Sequence, residues 1–169
     1  MPSANGIFTG RIRHGSEHPA EQSRVSRSTE RTVGSAHFEF ELEPSTLRCI
    51  ERTSEARWGP LCLVVSAEAF VDTQGLIARV VEKRGFAREG IHGFAFQHEY
   101  PEELDRGVTV EYFDDKVVVS EHFFAQFVLA TVSALEELSH ASGRSFDPAA
   151  YGRDLQLLRQ RLAEGYFSS

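Results

Sequence analysis

Residues 37–43 alternate strictly between apolar side chains and polar or charged ones, and this pattern constrains the fold more than any other. Phe38, Phe40 and Leu42 fall on one side of an extended chain, and three glutamates fall on the other. Successive side chains of a β-strand point to opposite faces, so the segment predicts a strand with one buried and one solvated face. Sheets that are solvated on one face are typically antiparallel.

Residues 61–65 form a continuous apolar run, which predicts a buried strand. A helix is expected to follow, with Ser66 as its N-cap and its end near residue 84. Asp72 is an alternative start, because Gly75 weakens a helix by about 1 kcal/mol relative to alanine. Residues 46–53 fit either a strand or a short helix.

A second alternating segment, residues 91–100, predicts another strand. It is followed by a pattern typical of a β-hairpin, with strands at residues 107–113 and 116–119. Asp114 and Asp115 are typical turn residues, because their side chains bond to nearby backbone amides.

Two further helices are predicted after the hairpin. Ser120 has the side chain of an N-cap, and Glu121 carries the charge that the first turn of a helix favours. Asp147 as N-cap and Pro148 in the first turn predict the start of the last helix, which ends at Gly165.

Strands in runs, with helices between and after them, are typical of an α+β fold rather than of a βαβ repeat. We predict an antiparallel or mixed sheet of about five strands with two to three helices packed on one face. Residues 37–169 are expected to form this single domain. Residues 1–36 are rich in polar side chains and predict an extended or mobile N-terminal arm, with one short strand at residues 6–13.

Charge is divided unevenly along the chain. Residues 1–36 hold five Arg and three Glu, net +2, whereas residues 37–169 hold 13 basic and 22 acidic groups, net −9. An acidic body repels nucleic acid, so no direct nucleic-acid binding is expected. The longest apolar run is shorter than the roughly 20 residues of a spanning helix, and the N-terminal residues lack a secretory signal pattern. We therefore expect a cytoplasmic protein without membrane contact.

The residue spacing predicts no metal, cofactor or catalytic centre. His92 and His98 lie roughly 20 Å apart if the strand is extended, too far to share an ion. Cys49 and Cys62 lack metal or redox spacing and are interpreted as small buried side chains. The chain has neither the nucleophile motif of a hydrolase nor a phosphate-binding glycine loop. We expect no enzymatic activity.

Residues 99–120 contain seven carboxylates and two basic residues, together with Tyr100, Tyr112 and Phe113. Carboxylates attract a basic protein and aromatic rings anchor it, which favours a binding surface. The alternative is a charged rim that keeps the domain soluble. The candidate partner-binding residues are Glu99, Tyr100, Glu102, Glu103, Asp105, Glu111, Tyr112, Asp114 and Asp115.

Three hypotheses for function follow. The leading one is a small acidic cytosolic binding protein or inhibitor, such as a bacterial toxin immunity protein, that neutralises a basic protein partner. The second is a small-molecule-binding or enzymatic domain, with a pocket between the sheet and the Phe-rich helix. Its candidate polar groups are His92, His98, Tyr100 and His122. The third is a self-assembling protein, in which helix 121–140 or the final helix pairs with a copy of itself in a homodimer.

Overall fold

The computed structural model describes residues 27–53, 57–90, 92–102 and 105–169. The strands in these ranges are β1 (Ser28–Val33), β2 (Ala36–Leu42), β3 (Leu47–Glu51), β4 (Phe86–Arg88), β5 (His92–Phe96), β6 (Val108–Tyr112) and β7 (Asp115–Val119). The α-helices are α1 (Gly59–Val71), α2 (Thr73–Val81), α3 (Glu121–Ala141) and α4 (Gly152–Ala163). Strands β1-β2-β3 form the antiparallel sheet A, and β4-β5-β6-β7 form the antiparallel sheet B.

The predicted α+β class is confirmed, but the prediction of one five-stranded sheet is wrong. The described strands form two sheets, of three and four strands, accompanied by four α-helices rather than two or three. Helix α1 packs against β3 of sheet A and β6 of sheet B, and α2 packs against α4. Alternation shows that a segment is a strand but not which strand it pairs with, because pairing depends on residues far apart in sequence.

Sheet A buries the aromatic side of the predicted strand. Phe38 and Phe40 on β2 are completely buried, and both rings contact Phe127 of α3, with centroids 4.8 Å and 6.3 Å away. Gly34 has a φ of +58° in the two-residue turn between β1 and β2. Turns of this length favour glycine where φ is positive, because their twist then matches that of the strands. The strand predicted at residues 37–43 is confirmed as β2.

The range assigned to the N-terminal arm lies partly outside the described residues. Residues 1–26, including the short strand expected at 6–13, are not among them. Residues 28–33 of that range form β1, which pairs with β2 along its whole length from Ser28↔Glu41 to Val33↔Ala36. The polar composition of β1 fits this position, because alternate β1 residues face water.

The apolar run at residues 61–65 is helical, so the prediction of a strand there is wrong. Helix α1 buries Leu61, Cys62, Val64 and Val65, because it lies between α3 and both sheets. A helix covered on several sides needs no amphipathic period, and a short run without period does not distinguish strand from helix. The alternative start at Asp72 is confirmed for α2, whose Gly75 amide donates to Asp72 Oδ1 at 2.9 Å.

Among the described residues, no single helix has the length and hydrophobicity to cross a membrane, and α1 with α2 meets that test only as a pair bent by 118°.

Cys49 on β3 and Cys62 on α1 are free thiols. A hydrogen bond with the Cys62 thiol, followed by burial, raises the pKa of Cys49 well above its ordinary value. Cys49 therefore stays neutral where α1 packs on sheet A, which agrees with the interpretation of the two cysteines as structural side chains.

Helix α3 begins as predicted, because Ser120 Oγ accepts a hydrogen bond from the Phe123 amide at 3.1 Å. Its ring Phe124 packs on sheet B, 4.8 Å from Phe94. Asp147 does act as a cap, but of a short 3-10 helix at Pro148–Ala150, and α4 begins only at Gly152. One long helix thus contacts both sheets.

A buried ion pair fixes the C-terminal residues to the start of α3. Glu121, of which 8% is exposed, accepts hydrogen bonds from Lys83 Nζ at 2.7 Å and from the Ser168 amide at 3.0 Å. Burial opposes ionisation of Glu121, but the Lys83 ammonium and the Ser168 amide outweigh it and hold its pKa below the ordinary value. The carboxylate of Glu121 is thereby engaged in maintaining the fold.

Candidate functional site

The outer face of sheet B, which points away from α3, carries a groove of about 280 Å³. Cross-strand pairing places Ala87, Gly93 and Glu111 in one row and Ala95 and Thr109 in the next. The residues that alternate with them, among them Phe94 and Val110, are buried toward the helices. The groove is lined by Phe86, Ala87, Gly90, His92, Gly93, Phe94, Ala95, Tyr100, Thr109, Glu111 and Phe113.

The floor of the groove is flat because its side chains are small. Ala87, Gly93 and Ala95 contribute at most one carbon each beyond the backbone. A Cβ atom on Gly93 would collide with the carbonyl oxygen of Phe86, so the close approach of β4 to β5 requires glycine there. Glycine at position 93 therefore allows the strands to approach closely, and it also leaves the outer face open for another molecule.

Glu99 positions one wall of the groove. Its Oε1 accepts a hydrogen bond from the Gly85 amide at 3.0 Å, and its Oε2 accepts one from the Phe96 amide at 2.9 Å. These bonds fasten the 3-10 turn Gln97–Glu99 to β5 and to the residue before β4. Tyr100 follows directly and lines the groove with 52% of its surface exposed.

Phe113 forms the rim at the opposite strand connection. The turn between β6 and β7 consists of Phe113 and Asp114, one residue earlier than the predicted Asp114-Asp115, because Tyr112 pairs with Asp115. Phe113 has a φ of +54°, which is unfavourable for a residue with a bulky side chain, and 64% of its surface is exposed. The hairpin therefore holds an aromatic ring in water at a cost in backbone strain.

Thr109 carries an unsatisfied polar atom at the groove. The residue lies on β6 with 4% of its surface exposed, and its Oγ1 has no hydrogen-bond partner among the described residues. A buried hydroxyl without a partner costs about 1–3 kcal/mol. A ligand that hydrogen-bonds to this oxygen recovers that free energy.

Glu111 and the carboxylates near it in sequence are exposed and have no ion-pair partner in the described part of the chain. Glu111 lines the groove itself, and its cross-strand neighbour Lys116 makes no salt bridge with it. The exposed carboxylates near it in sequence, which the groove does not include, are Glu102, Asp105, Asp114 and Asp115. The field of these charges is therefore free to attract a cation.

The structure divides the nine predicted contact residues into distinct groups. Tyr100 and Glu111 meet at the groove, whereas Glu99 turns both carboxylate oxygens toward backbone amides of its own chain. Tyr112 lies on the opposite face of β6, half-buried, with its ring 4.9 Å from that of Phe113. Glu103 lies outside the described residues.

Thr109 and the small floor residues were not among the predicted contacts. The sequence does contain a signal for the floor, because in residues 92–96 glycine and alanine alternate with large side chains. Small residues on the solvated face of a strand leave room above the sheet. The orphaned hydroxyl of Thr109 has no comparable signal, because it depends on which groups surround it in space.

The pocket expected between the sheet and the Phe-rich helix is not where the groove lies. That space is filled by aromatic rings, with Phe96 and Phe124 centroids 6.1 Å apart in edge contact. Of the polar groups named for that pocket, Tyr100 lines the outer groove instead, whereas the side chain of His92 shares the opposite face of the sheet with its strand partner Tyr112. His92 Nε2 also lies 3.8 Å from the buried carboxylate of Glu68.

Within the described ranges, no cluster of three or more His, Cys, Asp or Glu side chains is arranged to hold a metal ion. The sequence matched no protein-family model, and neither curated proteins nor solved structures gave a significant match. The groove and its charges are therefore the basis for assigning a function.

Proposed function

We propose that this protein is a small cytoplasmic binding protein that holds a basic protein partner against the outer face of sheet B. An inhibitor such as a bacterial toxin immunity protein acts in this manner. The observation that carries the proposal is the coincidence of exposed carboxylates without ion-pair partners and a groove bordered by exposed aromatic rings.

The charges supply attraction over a distance. Residues 37–169 carry a net charge of −9, and Glu111 in the groove forms no salt bridge with another described residue. Complementary charge raises the rate at which a basic partner arrives, and it rejects acidic competitors. The expected signature is an association rate that falls with salt.

The aromatic rings supply contact area. Tyr100 and Phe113 keep more than half of their surfaces exposed at the groove. Exposed aromatic side chains of this kind are enriched among the residues that dominate the free energy of protein association. The rim therefore combines an anchor with electrostatic attraction.

Affinity capture from the native cell extract tests the proposal. The tagged protein is applied at about 0.01 M and about 1 M salt, where charges are screened beyond about 30 Å and about 3 Å. The test variant is Glu102→Lys with Glu111→Lys. The control is Glu30→Lys on β1 with Glu43→Lys directly after β2, both at exposed positions; each pair changes the net charge from −7 to −3.

We expect wild type and the control to retain a stoichiometric basic protein that high salt releases, and the test variant to lose it. Equal loss in both variants would show that only total charge matters. Retention by the test variant would remove the groove face as the binding site.

A second candidate is a small-molecule-binding protein, favoured by the presence of Tyr100, Thr109 and Glu111 in one groove. Its volume of about 280 Å³ lies just below the range of about 300–1,000 Å³ that is common for such pockets. A ligand screen by thermal shift distinguishes this candidate, because a small ligand raises the melting temperature without any protein partner.

Self-association through the final helix receives less support. Leu155 and Leu158 of α4 are buried against the same chain, and α4 packs on α2 and α3. These apolar side chains are already covered.

A further inference from the structure

We propose that the groove on sheet B is a receptor for a single arginine side chain of the basic partner. This inference rests on the proposed function and specifies its contact. Four features of the groove converge on a guanidinium group: its flat floor, its exposed rings, its carboxylate and its unsatisfied hydroxyl.

The shape of the groove favours a planar cation. Ala87, Gly93 and Ala95 leave a floor with little relief, above which a flat group lies without steric conflict. Tyr100 and Phe113 border this floor, and the faces of such rings attract cations. Guanidinium is flat and stacks on aromatic rings, whereas an ammonium group is a compact and strongly hydrated charge.

The polar atoms of the groove match the donors of arginine. The Glu111 carboxylate has no ion pair among the described residues, and Thr109 Oγ1 has no hydrogen-bond partner there. Guanidinium has five N–H donors in a fixed plane and no acceptor, so it satisfies acceptors in two directions at once. Thr109 is the second, independent sign of a ligand, because its buried oxygen is unsatisfied in the protein alone.

The size of the groove sets the extent of the contact. A volume of about 280 Å³ accommodates one long side chain, and it leaves the surrounding carboxylates to contact the rest of a basic surface. The groove thus provides specificity for one residue, while the outer charges provide attraction for the whole partner.

Titration of the labelled protein with three short peptides tests this receptor. The peptides are acetyl-Gly-Arg-Gly-amide and its lysine and citrulline counterparts, and the signals are the backbone amides of Gly93, Ala95 and Thr109 in nuclear magnetic resonance spectra. We expect the arginine peptide to bind about fivefold more tightly than the lysine peptide, and the uncharged citrulline peptide to cause no saturable shift.

Two variants identify the polar contacts. Thr109→Val keeps the shape and removes the orphaned hydroxyl, so we expect about fivefold weaker arginine binding with no decrease in melting temperature. Glu111→Gln is expected to weaken binding by a similar factor, whereas its control Glu30→Gln on sheet A leaves it unchanged.

Two results would overturn the receptor: equal affinity for arginine and lysine with shifts spread over the acidic surface, or unchanged binding in Thr109→Val. Failure of the receptor is distinguishable from failure of the proposed function. If the peptides do not bind but salt-sensitive capture still depends on Glu102 and Glu111, the proposed binding function is retained and the arginine contact is rejected. Arginine binding without any captured partner would overturn the function and keep the groove chemistry.

Discussion

The outer faces of the two sheets both carry carboxylates, but among the described residues only sheet A pairs any of its strand carboxylates with arginine. Glu39 accepts a hydrogen bond from Arg52 Nε at 2.7 Å, and Glu41 lies 3.4 Å from Arg48. On sheet B, Glu111 has no ion pair with any described residue. Acidic composition alone therefore does not identify a binding surface, because neighbouring arginines pair with some of the acids.

The side chains on the two outer faces also differ in size. On sheet A, long side chains such as Arg48, Ile50 and Arg52 lie beside the glutamates of β2. On sheet B, glycine and alanine occupy the corresponding central positions and a groove remains. Sheet A uses its charges to hold its strands together, whereas sheet B leaves both charge and space available.

Removing the charge of a paired carboxylate is expected to lower the free energy of unfolding far more than removing that of an unpaired one. Glu121→Gln leaves Lys83 without its ionic partner in a mostly buried site, which costs about 2 kcal/mol in free energy of unfolding. Glu111→Gln on sheet B is expected to change that free energy by less than about 0.5 kcal/mol. Urea denaturation measures both, and equal losses would contradict the distinction between the two kinds of acid.

The stabilising contribution of Glu121 is expected to depend on pH. The folded protein holds the pKa of Glu121 below the ordinary carboxyl value of 4.5, so the unfolded chain binds its proton at a higher pH than the folded chain does. The stabilisation is therefore complete above that ordinary value and is lost as pH falls through the lower folded pKa. We expect Glu121→Gln to flatten the decline in stability measured by denaturation at successive pH values below 5, and an unchanged slope would contradict this role.

An intermediate effect is expected at the aromatic rim. Phe113→Gly removes the exposed ring but suits the positive φ of the turn, so we expect no loss of stability and about tenfold weaker binding of the arginine peptide. Thermal melting and the peptide titration measure the two quantities. Weaker binding with a lower melting temperature would indicate that the ring serves the fold instead.

The smallest effect on stability is expected when the paired arginines of sheet A are replaced. Arg48→Ala with Arg52→Ala leaves Glu41 and Glu39 unpaired, at a cost below about 1 kcal/mol for each exposed pair. Arginine-peptide shifts are still expected only on sheet B, because sheet A lacks the aromatic rim and the flat floor. New saturable shifts at sheet A would break the comparison, since unpaired carboxylates would then be sufficient for binding.

Three patterns that depend on neighbours in sequence were predicted correctly. The alternation in β2, the N-cap at Ser120 and the hairpin of β6 and β7 follow from side-chain period and local hydrogen bonding. The predicted hairpin turn was one residue late, because turn propensity favours Asp114 and Asp115 while strand register places Phe113 in the turn. Of the candidate site, the sequence indicated Tyr100 and Glu111 through clustering of acids with aromatics.

The α+β class, the long helix α3 and the acidic charge of the chain could be predicted from residue order alone, because they depend on composition and local period. Only the tertiary structure decided that residues 61–65 are helical, since a run without period takes the form that its surroundings bury best. The tertiary structure also decided which acids are paired and that Thr109 lacks a partner. Both depend on distances between residues remote in sequence, which no local pattern encodes.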